Sequence, residues 1–74
     1  MKAIIRTYNH KIKLKVSDLQ KVIFTDRHHR KHTICADNGW KKVSLNAARG
    51  DMYFIGKKTT IVRAKDIIGI EFKY

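Results

Sequence analysis

Arg27-His28-His29-Arg30-Lys31-His32 is a run of six residues that are all basic or titratable. Two chemistries suit it. Arg27 and Arg30 can grip phosphate oxygens bidentately, with Lys31 as a compact point charge beside them. Histidines beside cations could also move protons at a phosphodiester, as metal-independent ribonucleases do. A run of histidines in a loop lacks the fixed orientation that proton transfer needs. We therefore expect phosphate binding rather than catalysis, and keep a ribonuclease or toxin as an alternative. His28 is included among the expected contacts because protonation as pH falls would add positive charge to the loop.

His29-x-x-His32-x-x-Cys35 has the look of a metal motif. A structural zinc site needs a fourth ligand and commonly uses two separated pairs. The chain has one cysteine, and His10 is its only histidine outside the basic run. No metal and no other cofactor is expected. The carboxylates Asp18, Asp26, Asp37, Asp51, Asp66 and Glu71 are too scattered to suggest a metal-nuclease cluster.

The whole composition points the same way as the basic run. Seventeen Lys and Arg against six Asp and Glu give a net charge of +11 on 74 residues. Charge of one sign at that density repels itself in a compact domain, which favours an anionic partner, most commonly a polyphosphate. Lys11, Lys13 and Lys15 alternate with Ile12, Leu14 and Val16. On a strand the three lysines share a face, roughly 6.6 Å apart. They either follow a phosphate backbone or protect an edge strand from pairing. Lys41-Lys42 and Lys57-Lys58 are weaker versions of the same signal. Among the aromatics, Trp40 and Tyr53 are candidates to stack on bases. Core packing competes for Trp40 in so small a domain, while Phe24, Phe54 and Phe72 are assigned to the core. Arg49-Gly50-Asp51 matches a cell-adhesion tripeptide and is expected to be only a turn.

The elements that must position these residues are strands, because apolar residues recur with period two. Strands are expected over 3–8, 11–16, 21–25, 33–36, 40–45, 52–55, 59–63 and 67–74. Asn9-His10 and Asp37-Asn38-Gly39 supply turn chemistry. Lys41 and Lys42 break the alternation of their strand, and a bulge accounts for that. One helical turn each is expected at Ser17–Gln20 and Leu45–Gly50. Asp18 to Phe24 and Asp66 to Phe72 share a pattern of Asp, apolar residue and inward Phe, read as a polar corner followed by a strand. The expected fold is a single all-β domain over 1–74: a small antiparallel barrel or strongly bent sheet, SH3-like or OB-like.

The lone cysteine suits a reducing compartment such as the cytoplasm. No signal peptide and no membrane-spanning segment are expected. The expected function is a small basic nucleic-acid-binding protein, with RNA or single-stranded DNA preferred over duplex. The alternative is a protein-interaction module, such as a viral or mobile-element inhibitor of a host enzyme. An edge strand at 3–8, or the final strand, could pair with a second copy to form a homodimer.

Overall fold

Among the described residues, period-two patterning becomes seven antiparallel strands in two sheets. The computed structural model describes residues 1–8, 13–35 and 39–73. The strands are β1 (Lys2–Thr7), β2 (Leu14–Val16), β3 (Lys21–Asp26), β4 (Lys31–Cys35), β5 (Ala48–Ile55), β6 (Thr59–Arg63) and β7 (Ile67–Lys73). One sheet has the order β2-β1-β7 and the other β4-β3-β5-β6. Two 3-10 turns, Trp40–Lys42 and Ala64–Asp66, are the helical elements among the described residues.

Alternation sorts the side chains. Ala3 and Ile5 of β1 face inward, as do Val22 and Phe24 of β3 and Met52 and Phe54 of β5. These residues, with Val16, Leu19, Ile34, Trp40, Val62 and Ile67, form one core. Each fully buried large side chain contributes about 1.5–3 kcal/mol.

Two corners carry the chain between the sheets, and Asp begins each crossing. Edge strand β2 leads through Asp18 into β3, while edge strand β6 leads through Asp66 into β7. The apolar residue after each Asp, Leu19 or Ile67, is buried. Both corners are pinned to the residues that flank β1: the Leu19 N–H donates to the Met1 carbonyl, and the Tyr8 N–H to the Asp66 carbonyl, each at 2.9 Å. Asp18 takes a left-handed φ of 53° to make its bend. The first corner rests on Gly56. A Cβ there would overlap the Ser17 carbonyl oxygen and stand 3.0 Å from the Asp18 carbonyl oxygen and Val16 Cγ1.

Several expectations are corrected. The strand expected over 40–45, with its bulge at Lys41-Lys42, does not form: Trp40–Lys42 is a 3-10 turn and no strand starts before Ala48, because Trp40 turns inward and stacks on Phe72 at 5.3 Å. β5 starts at Ala48 rather than Met52, so Leu45–Gly50 is not a helical turn; it is a turn over 45–47 running into strand. Ser17–Gln20 is a bend without helix. Arg49-Gly50-Asp51 lies inside β5, where Gly50 takes φ 69° beside the register shift against β3. β1 is central in its sheet, so it offers no edge to a second copy; β7 does. Lys11, Asn9-His10 and Asp37-Asn38 lie outside the described residues. No helix among the described residues is long and apolar enough to cross a membrane.

Candidate functional site

The basic run is a tight hairpin end rather than a loose loop. The Asp26 N–H donates to the Arg30 carbonyl at 2.9 Å, and the His29 N–H to the Asp26 carbonyl at 3.0 Å. His29 supplies the left-handed residue of the turn, with φ 63°. This is the usual way a three-residue loop joins antiparallel strands. Asp26 holds it together. Its Oδ1 accepts the N–H groups of His28 at 2.8 Å and Arg30 at 3.0 Å, and its Oδ2 lies 2.8 Å from His32 Nε2. The His32 ring stacks on Phe24 at 4.9 Å. Arg27, His28, His29, Arg30 and Lys31 are all exposed around this anchor.

These bonds hold the Asp26 carboxyl well below the usual carboxylate range. The largest cause is the His32 hydrogen bond, followed by the Arg30 and His28 backbone donors; burial opposes them. A carboxyl whose pKa is lower folded than unfolded stabilises the fold above its unfolded pKa. That contribution disappears as pH falls below about 3.8. Thermal melts across the acid range should therefore show the wild type losing stability as pH drops. Asp26→Asn should start less stable at neutral pH and lose less on acidification. Parallel curves for the two proteins would contradict the anchoring role.

The same geometry separates the candidate metal ligands. His29 is at the exposed tip, His32 is engaged with Asp26 and Phe24, and Cys35 is on the opposite face of β4 from His32. Among the described residues no three His, Cys, Asp or Glu side chains are placed to hold one ion.

The remaining sequence candidates fall into separate places. Lys13 is exposed just before β2; Lys15 on β2 lies opposite Ile4 of β1. That outer face also carries Glu71, 3.8 Å from Arg6 and 3.2 Å from Lys73, which partly neutralises it. Lys57 and Lys58 occupy the β5–β6 turn, at the far end of the four-stranded sheet from Arg27. Lys41 and Lys42 are exposed on the first 3-10 turn, and Lys41 borders a shallow cavity with Ile70 and Phe72. Trp40 is buried at 8% exposure, with a ring face against Phe72, and is withdrawn from the base-stacking surface expected of it.

Tyr53 lies on the outer face of the four-stranded sheet. Cross-strand register places Thr33, Ile23, Tyr53 and Ile61 in one row across the outer face of the four-stranded sheet. Tyr53 is 38% exposed and Ile61 56%. Lys21 flanks this row on one side, in register with Cys35 and Ile55. Lys31, Thr25 and Arg49 form a row on the other side, and Arg63 lies opposite Asp51. Asp51 is the only acidic residue at these outward strand positions. The face is thus an open platform with an aromatic near its centre and cations around its rim.

The sheet end beside the basic turn is also cationic. Arg27, His28 and Arg49 line one cavity of about 390 Å³, and Arg49, Arg63 and Lys65 line a second. Sequence reasoning missed Lys21, Arg49, Arg63 and Lys65. Their outward parity with Tyr53 was a usable signal for the strand residues, but only the register reveals that they are neighbours. Among the described residues, ion pairs within 4.0 Å draw their basic partner from Arg6, His32 and Lys73. The cations of the turn and platform are therefore available to an external anion.

No protein-family model matches this chain, and no curated protein or solved structure does.

Proposed function

We propose that this protein binds single-stranded nucleic acid, RNA or DNA, on the outer face of its four-stranded sheet. The observation that carries this is the position of Tyr53 on an open face rimmed by Lys21, Lys31, Arg49 and Arg63. A base stacks on an exposed aromatic ring regardless of its identity, while cations around the ring follow the phosphates. Ile23 and Ile61 extend the apolar surface for neighbouring bases or sugars. The Arg27–Lys31 turn adds further phosphate contacts at the sheet end. A duplex fits less well, because its bases are already stacked and the described residues hold no helix long enough to enter the major groove. Finer fold assignment follows from the same reading: a strongly bent SH3-like or OB-like domain presenting one wet sheet face. The proposed activity is binding without catalysis, since His32 is occupied by Asp26.

Fluorescence anisotropy with labelled single-stranded RNA, single-stranded DNA and duplex DNA over a salt series tests this. Single strands should bind more tightly, with affinity falling as salt rises. Tyr53→Ala should cost about 1–3 kcal/mol, roughly 5-fold to 150-fold in affinity, and leave the salt slope unchanged. Absence of binding to every probe at low salt would reject the proposal. Capture of a protein partner that persists after nuclease treatment would then favour the interaction-module alternative.

A further inference from the structure

We infer that the cavity between β5, β6 and the second 3-10 turn is a seat for a phosphate monoester on a nucleotide, either the phosphorylated end of a strand or a free nucleotide. This rests on the single-strand reading above and specifies which part of the ligand goes where. The cavity measures about 530 Å³, within the size range of small-molecule sites. Arg49 enters from the start of β5, Arg63 from the end of β6 and Lys65 from the 3-10 turn. Three cations from three elements converge there, and none makes an ion pair within 4.0 Å among the described residues. The carboxylate closest in register is Asp51, opposite Arg63.

Arg49 is already oriented. Its Nη1 donates to the carbonyls of Asn46 and Ala48, each at 2.8 Å. Those two bonds fix the guanidinium plane and leave Nε and Nη2 to donate to an anion. Gly50 also lines the cavity, and its φ of 69° favours glycine. A monoester carries close to two negative charges and three terminal oxygens, where an internal phosphodiester carries one charge. Three converging cations match the monoester better. Leu45, Ala48 and Ala64 supply an apolar wall, which suits a sugar or base edge and distinguishes a nucleotide from inorganic phosphate.

The test uses the full chain and oligouridines that differ only at their ends: 5′-phosphate, 3′-phosphate or hydroxyl. One phosphorylated end should bind about tenfold more tightly than the hydroxyl-ended strand. The double variant Arg63→Gln/Lys65→Gln should lose that advantage and bind phosphorylated and hydroxyl-ended strands equally, all of them more weakly than the wild type because Arg63 also rims the platform. Equal wild-type affinity for all three ends overturns the seat and leaves the single-strand reading standing. If no oligonucleotide binds, the single-strand reading fails, and titration with uridine monophosphate followed by amide NMR decides the seat separately. Saturable shifts at Gly50 and Ala64 that the double variant abolishes would uphold it, whereas unmoved amides would overturn it. A phosphorylated strand binding more tightly than uridine monophosphate identifies the strand end as ligand; equal affinities identify the free nucleotide.

Discussion

Replacing Arg27, Arg30 and Lys31 together with glutamate is expected to weaken single-stranded nucleic-acid binding by about a hundredfold or more at moderate salt. Each lost phosphate contact removes a counterion-release contribution, and each new carboxylate repels the backbone. The salt slope should flatten by about two, from roughly 0.7 per contact on a single strand. The hairpin should survive, because Asp26 holds it through main-chain donors of His28 and Arg30 that the substitutions leave in place. Circular dichroism verifies the fold, and anisotropy reads the binding. Unchanged affinity in a folded variant would remove the turn from the interface and leave the Tyr53 platform to account for binding alone.

Trp40→Ala should act on the fold rather than on the ligand. Its side chain is buried against Phe72, and large aromatic truncations in cores cost about 3–5 kcal/mol. A domain of this length has a total stability of roughly 4–11 kcal/mol. The variant should therefore melt far below the wild type, and should be largely unfolded if the wild type lies at the low end. Trp40→Phe should retain most of the stability, and wild-type tryptophan emission should be blue-shifted and resistant to aqueous quenchers. A Trp40→Ala melt that matches the wild type would contradict the packing described here.

The contrast between Trp40 and Tyr53 shows how far the residues could be read before the fold was known. Both are aromatic residues with a polar edge, and both were stacking candidates. Tyr53 sits in a clean alternation with Met52 and Phe54, so its outward direction follows from strand parity. Trp40 follows Gly39 and precedes two adjacent lysines, and no local period specifies its direction. Its partner Phe72 is remote in sequence, so tertiary contact decides its position. The same division holds elsewhere. β6 was legible to the residue, because Thr59–Arg63 is bounded by a glycine-containing turn and holds four consecutive β-branched residues. The start of β5 was hidden, because Ala47 and Ala48 have helical propensity and Gly50 reads as a stop, whereas the pairing of Ala48 with Asp26 makes that stretch a strand. The charge surplus led to the expectation of an anionic partner. It did not reveal that Arg49, Arg63 and Lys65 share one cavity, since they become neighbours only through the β5–β6 ladder and the turn that follows.

The pairing of Lys2 with Lys73 has a mechanical consequence. β1 and β7 run antiparallel with these residues at the same end of their ladder. Tension applied between them pulls across the strands, so hydrogen bonds carry the load one after another instead of together. The ladder should unzip at low force, from Lys2 and Lys73 inward toward Thr7 and Ile67. A machine that draws these two residues apart would meet little resistance at the first step. Once β7 has peeled away, one flank of Ala3 and Ile5 is uncovered, and the rest of the domain loses the surface against which its core is packed.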